Sequence, residues 1–137
     1  MTGAAAARAP GGTKLSLILC AERLMADRGL DAVSMSEITA ASGQRNASAL
    51  NYHFGSRRAL VEAIVALRLG RIDLRRAEML ATLKAEAREG DLIALVAAKV
   101  LPLAETLRPG SGAETWVPFL VQLHASPDWG LDEIVDA

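Results

Sequence analysis

A chain of 137 residues with a net charge of −1 fits one or two small domains and can bury roughly two-thirds of its unfolded surface in a core. Its apolar residues are mostly Ala, Leu, Ile and Val, aromatic residues make up 4%, and clusters typical of strands are absent, which favours an all-α fold. The single cysteine, Cys20, excludes a disulfide framework within one chain, and no apolar run approaches the ~20 residues of a membrane span. We therefore expect a cytoplasmic protein that does not enter the membrane.

Charge is distributed unevenly along the chain. Residues 1–60 hold seven Lys or Arg against four Asp or Glu, whereas residues 61–137 hold eight against twelve, so the first part carries +3 and the second −4. A basic head on an acidic body suits a polyanionic partner at the amino-terminal end. Residues 1–12 carry Ala where a signal peptide has a Leu-rich segment, and we expect a disordered arm there.

The first two helices are predicted from caps and apolar spacing. Helix 1 begins at Thr13, which can act as its N-cap, and ends at Gly29, which suits the left-handed position after a helix end. Its buried face follows i, i+3, i+4 spacing through Leu17, Cys20, Ala21, Leu24 and Met25. Helix 2 follows Ser34-Met-Ser-Glu37, which has the spacing of a capping box, and runs to about Ser42 with Ile38 and Ala41 facing inward.

A turn and a third, short helix come next. Asn46 can cap a helix over about residues 47–53, with Leu50 and Phe54 as its anchors in the core. Ser56 can cap the helix that follows. Helices 2 and 3 then form a helix-turn-helix whose second helix is short and polar, which suits the major groove of DNA.

The rest of the chain is also predicted to be helical. Helix 4 spans residues 57–88 and carries two apolar stripes, so its start closes the head and its end enters the body. Helix 5 begins after Asp91 and includes Pro102, which should kink it. Helix 6 spans about residues 114–125, and another apolar segment starts at Leu131. The predicted fold is therefore an all-α, two-part molecule.

The motifs between Lys14 and about residue 65 form a characteristic set. Tyr52-His-Phe-Gly-Ser-Arg57 with Leu60 is similar to a Tyr-x-x-Phe-x-Ser-Lys-x-x-Leu signature, and with the capped second helix it resembles the TetR family of bacterial transcriptional repressors. Two departures occur. The turn after Gly43 is one residue longer than usual, and Asn51 occupies the slot of the signature tyrosine, with Tyr52 after it.

The resemblance implies a homodimer that places two recognition helices in successive major grooves of a near-palindromic operator in double-stranded DNA. It also implies a small-molecule effector bound by the body. Family members are considerably longer, and the usual counterparts of the two last helices, which build the dimer, have no room here. We therefore expect either a chain truncated at its carboxyl end or a different dimer. The expected domains are an arm (1–12), a helix-turn-helix domain (13–60) and an incomplete regulatory and dimerisation body (61–137).

Candidate DNA contacts lie on the helix-turn-helix and on the helix starts around it. Arg45 can reach a phosphate or a guanine edge, Asn51 can read adenine, and Tyr52 can contact a phosphate or a thymine methyl group. Arg57 stands at a helix start, where phosphate binds well, and is the phosphate contact we expect first. The full set is Lys14, Ser34, Ser36, Arg45, Asn46, Ser48, Asn51, Tyr52, His53, Ser56 and Arg57.

Some of these residues have simpler explanations. His53 is equally well explained as a packing residue beside helix 1, and capping alone accounts for Ser34 and Ser56. In the body, a small hydrophobic effector could be bound by polar groups among apolar walls, although we favour ordinary core packing for each candidate. These candidates are Trp116, Phe119, Leu120 and His124.

No arrangement of residues typical of an enzyme occurs in the sequence. It contains no Ser-His-Asp set at familiar spacing, no Gly-rich phosphate loop after a strand and no His-x-x-x-His pair, so we expect no enzyme activity, no cofactor and no bound metal. The sequence predicts a DNA-binding transcriptional regulator, most simply a ligand-responsive repressor. The alternatives are a helical protein–protein adaptor and a small-molecule-binding protein without DNA binding.

Overall fold

The computed structural model describes residues 12–135, and within that range the regular elements are all helical. They are α1 (Gly12–Arg28), α2 (Met35–Ala41), α3 (Ala49–His53), α4 (Arg57–Ala85), α5 (Leu92–Glu105), α6 (Trp116–Ala125), a 3₁₀ turn (Pro127–Trp129) and α7 (Leu131–Val135). This confirms the prediction of a three-helix head, a long fourth helix and a small helical body. The arm predicted for residues 1–12 lies outside the described residues, apart from Gly12, which belongs to α1.

The ends of the first helices follow from local chemistry. Thr13 lies within the first turn of α1 and is not its N-cap, so that prediction is wrong. Gly29 ends α1 as predicted, with φ of +97°, a conformation that glycine adopts without steric cost. Ser34 and Glu37 form the predicted capping box: the Ser34 hydroxyl accepts from the Glu37 N–H at 3.1 Å, and the Glu37 carboxylate accepts from the Ser34 N–H at 2.8 Å.

The capping box leads to a prediction about acid. The Ser34 N–H and then the Arg28 guanidinium hold the pKa of Glu37 below its ordinary value of 4.5. A carboxyl group whose folded pKa is lowered stabilises the fold above its unfolded pKa, and that contribution is lost as the pH falls through the folded pKa. We expect Glu37→Gln to lower the free energy of unfolding at neutral pH, and the difference from wild type to shrink steadily below the carboxyl's ordinary value of 4.5.

Urea denaturation at neutral pH and at about pH 3 measures this difference. Glu89→Gln is the matched control, because Glu89 is exposed and forms no ion pair with a described residue. A Glu37→Gln deficit that is the same size at both pH values would contradict the prediction.

The connection between α2 and α3 is longer than the sequence suggests, because α2 ends at Ala41 and α3 begins only at Ala49. Ala41 is exposed rather than inward, and Thr39 is buried in its place, with its hydroxyl donating to the Met35 carbonyl at 3.0 Å. α3 begins at Ala49, not at residue 47, because the Asn46 side chain does not cap it. The Asn46 Oδ1 atom instead accepts from the Ser48 N–H at 2.9 Å and closes a turn just before the helix.

One cluster of buried apolar side chains holds the head together and continues into the body. α6 packs across α1, so that α1 lies between the helix-turn-helix and the body. The fully buried members from the head are Leu17, Met25, Leu30, Ile38, Leu50, Leu60 and Ile64, and those from α6 are Trp116, Phe119 and Leu123. α6 therefore contacts the same helix, α1, that packs against α2.

A buried ion pair crosses the same junction. Glu22 of α1 and Arg68 of α4 are 0% and 2% exposed, and the guanidinium binds the carboxylate through Nε at 2.6 Å and Nη2 at 2.8 Å. Nη2 also donates to the Gly112 carbonyl at 3.1 Å, and the Thr115 hydroxyl donates to Glu22. This cluster joins α1, α4 and the segment that leads into α6.

α5 is the least covered helix of the described part. It packs on α4 through Ala98 and Pro102, both buried, and it continues through the proline. It exposes large apolar side chains, namely Leu92, Ile93, Leu95, Val96, Val100, Leu101 and Leu103, and Leu107 is exposed just after the helix. None of the helices within residues 12–135 has both the length and the apolar character needed to cross a bilayer.

Candidate DNA-binding surface

The short helix α3 is buried on one side and exposed on the other. In α3, Ala49 and Leu50 are buried against the head, whereas Asn51 and Tyr52 are exposed. Tyr52 is 86% exposed, which is unusual for an aromatic side chain and leaves its ring free to meet a partner. The structure therefore places the two side chains predicted to read bases on the outer face of α3.

The turn before α3 adds further exposed polar groups. Arg45, Asn46 and Ser48 are all exposed. Arg45 forms no ion pair or hydrogen bond with a described residue, so its guanidinium is free to bind a phosphate or a base edge. Asn46 has its oxygen engaged by Ser48, which leaves its amide N–H groups for a partner.

His53 and Lys14 stand at the edge of this surface. The His53 ring meets Tyr52 edge-on, with ring centroids 5.1 Å apart, and lies 6.2 Å from Phe54. The Lys14 ammonium lies 5.5 Å from the centroid of the Phe54 ring, a cation–π arrangement. His53 and Lys14 are half-buried, so part of the His53 ring stays accessible. The packing role beside α1 and the phosphate contact both stay predictions for His53.

The predicted serines cluster at helix starts. Ser34 and Ser56 accept from backbone N–H groups of α2 and α4 at 3.1 Å, which confirms their caps, and both stay exposed. A capping hydroxyl still carries a hydrogen that can be donated to a phosphate. Ser36 is exposed in the first turn of α2.

Arg57 has a role that the sequence did not reveal. Its Nη1 atom donates to the carbonyls of Leu30 and Val33 at 2.8 and 2.5 Å, and the side chain is half-buried. It therefore ties the start of α4 to the loop between α1 and α2. A phosphate contact stays a prediction for its remaining N–H groups.

Some cations of the head are paired with acids and others are not. Arg28 pairs with Glu37 at 3.1 Å, and Arg58 pairs with Glu62 at 3.1 Å. Lys14, Arg23, Arg45 and Arg57 form no ion pair with a described residue. Of these, Lys14 and Arg45 flank α3, so unneutralised charge lies near the exposed ring of Tyr52.

The residues predicted to bind an effector are not gathered around a cavity described in the structure. The Trp116 and Phe119 rings stack with centroids 5.9 Å apart and are almost fully buried in the core, while Leu120 is half-buried and His124 is exposed. The Trp116 Nε1 atom is buried without a hydrogen-bond partner among the described residues. The effector role of these residues stays a prediction.

Comparison with known proteins gives one clear match. Residues 17–64, which run from the buried face of α1 through α2 and α3 into the start of α4, match the family described as bacterial regulatory proteins, tetR family. No curated protein matches the chain. The matched segment contains the helix-turn-helix formed by α2 and α3. The chain therefore carries an amino-terminal domain of the tetR family of bacterial regulatory proteins, the helix-turn-helix domain typical of a DNA-binding transcriptional regulator.

Proposed function

We propose that this regulator is a ligand-responsive repressor that binds a near-palindromic operator as a homodimer in the cytoplasm. The observation that carries the proposal is the outer face of α3, where an 86% exposed tyrosine stands beside unpaired cations on a helix-turn-helix. A solvent-exposed aromatic ring on a five-residue helix contributes nothing to the core, so it has the placement expected of a contact with a partner.

The proposed contacts divide by chemistry. Arg45, Asn51 and Tyr52 would reach base edges in the major groove, because they project from the turn and from the exposed side of α3. Lys14 and the remaining N–H groups of Arg57 would bind phosphates. The other proposed phosphate contacts are polar side chains at or near the helix starts, namely Ser34, Ser36, Asn46, Ser48, His53 and Ser56. We take residues 13–60 as the DNA-binding domain and residues 61–137 as the body that regulates it.

The exposed face of α5 supports the homodimer. Ile93, Val96 and Val100 are 83%, 53% and 54% exposed, and they lie on a helix whose other side is already packed on α4. Apolar surface of this extent favours association with another protein. In a dimer, an effector that alters the spacing or tilt of the two heads would lower operator affinity, because only one spacing fits both half-sites.

The proposal is tested with the DNA directly upstream of the gene for this chain. Fluorescence anisotropy should show binding to that segment over scrambled DNA of equal length, with an affinity that falls steeply as salt rises because bound phosphates release counterions. Sedimentation of the same samples should show a dimer. The slope against salt concentration then counts the phosphates contacted.

Equal, weak binding to both DNAs would contradict a specific operator next to the gene, and a monodisperse monomer at high micromolar concentration would contradict the dimer. An absence of DNA binding even at low salt would favour the second candidate, a protein–protein adaptor. The observation behind that candidate is the same exposed apolar face of α5, used for a different partner.

A further inference from the structure

A groove lies where the carboxyl-terminal part of the chain returns to the head. It has a volume of about 380 Å³, and its walls come from the first turns of α1, the end of α3, α4 and α7. Phe54, Leu69 and Ile134 are among its apolar walls, and Lys14 stands at its side. A volume of this size falls at the lower end of the range for small-molecule sites, ~300–1,000 Å³.

The wall formed by α7 is held in place by polar contacts on both sides. Arg58 of α4 binds Glu133 of α7 at 3.1 Å, and the Trp129 Nε1 atom, just before α7, donates to Asp31 at 3.1 Å. Ile134 is 2% exposed and belongs to the core cluster. The groove therefore lies between α4 and a helix that packs into the core through Ile134.

The charges of the groove select a class of ligand. Its lining includes three polar or ionisable side chains: Lys14, His53 and Glu62. The Glu62 carboxylate is paired with Arg58, whereas Lys14 forms no ion pair with a described residue and its ammonium lies 5.5 Å from the centroid of the Phe54 ring. An unneutralised ammonium beside apolar walls matches a carboxylate that carries an apolar chain.

We propose that this groove binds a small amphipathic carboxylate, with its head on Lys14 and its chain between α4 and α7. Lys14 is also one of the residues proposed to contact a DNA phosphate, so ligand and DNA would compete for the same cation. Binding of the carboxylate stands on the groove alone, while the competition rests on the proposed function.

The probe is octanoate, with octanol as its uncharged counterpart, titrated into the full chain without DNA by calorimetry or NMR. We expect saturable binding of octanoate and at least about 10-fold weaker binding of octanol, since a charge-assisted contact is lost. Lys14→Met should weaken octanoate binding by a similar factor. Ala66→Leu should abolish it, because Ala66 lines the groove from an exposed position on α4, where leucine fits the helix but fills the space.

Lys84→Met is the matched control, since Lys84 is exposed in the last turn of α4, outside the groove lining, and it should bind as wild type does. The proposal is overturned if octanoate does not saturate the wild-type chain in the millimolar range, if octanol binds as tightly, or if both groove variants keep wild-type affinity. A DNA titration of the same samples separates the two claims. Octanoate binding without any DNA binding would refute the proposed repressor function and support the carboxylate site. DNA binding without octanoate binding would refute the carboxylate site and support DNA binding by the chain.

Discussion

Replacing Arg68 by methionine is expected to lower the free energy of unfolding by about 3–5 kcal/mol, because it leaves the Glu22 carboxylate buried without its cation. Glu22 is 0% exposed, and water cannot take over the lost contacts. A domain of this size is stable by only ~5–15 kcal/mol, so the variant should lose a large part of its stability. Urea denaturation followed by far-UV circular dichroism measures the change.

A second variant separates the effect of an orphaned charge from the effect of lost packing. Glu22→Leu combined with Arg68→Met should recover most of the stability, to within about 1–2 kcal/mol of wild type, because apolar side chains can replace a buried ion pair. Arg75→Met is the control on the same helix. Arg75 pairs with Glu105 but is 45% exposed, so its loss should cost much less stability than the loss of Arg68. Equal losses for Arg68→Met and Arg75→Met would show that burial does not set the cost.

The second large effect is expected for DNA binding rather than for stability. Tyr52→Ala should lower operator affinity by about 10-fold or more, since a good contact is worth ~1–3 kcal/mol and a dimer would lose it twice. The free energy of unfolding should change by less than about 0.5 kcal/mol, because the ring is 86% exposed and outside the core. Anisotropy titrations and urea denaturation of the same preparation measure both quantities.

Two variants sharpen this test. Leu74→Ala removes another exposed side chain, 69% accessible on α4 and away from the head, and should bind DNA normally. Arg45→Ala tells the two kinds of contact apart: loss of a phosphate contact lowers the salt slope by about one for each site, whereas loss of a base contact relaxes sequence preference and leaves the slope unchanged. If both Tyr52→Ala and Arg45→Ala bind the operator normally, the proposal that α3 and the turn before it contact the bases is contradicted.

Local chemistry made much of the fold predictable from the sequence. The capping box of Ser34 and Glu37, the glycine after α1 and the cap at Ser56 depend on neighbours within four residues, so their residue types carry the information. The spacing of Leu50 against Asn51 and Tyr52 likewise predicted which face of α3 points outward, and the structure agrees. The same spacing pattern carried the family resemblance that the match over residues 17–64 bears out.

Long-range pairings were beyond this kind of reasoning, because they depend on how helices cross. Arg57 could be recognised as a cation at a helix start, but its bonds to carbonyls 27 and 24 residues earlier exist only once α4 docks on the head. The sequence does contain a signal for the buried ion pair. Glu22 lies four residues after Ile18 and Arg68 four residues after Ile64, so each charged side chain falls on the apolar face of its helix. Spacing within one helix cannot say which partner neutralises such a charge.

The sequence by itself therefore determined the helical class, the caps of α2 and α4 and the exposed face of α3, because these follow from residue type and from periodicity along one helix. Only the tertiary structure decided that α6 packs on α1, that Glu22 and Arg68 meet 46 residues apart, and that α7 returns to form a groove beside Lys14. These contacts are set by the packing of whole helices in three dimensions, where the side chains that meet are far apart in the chain.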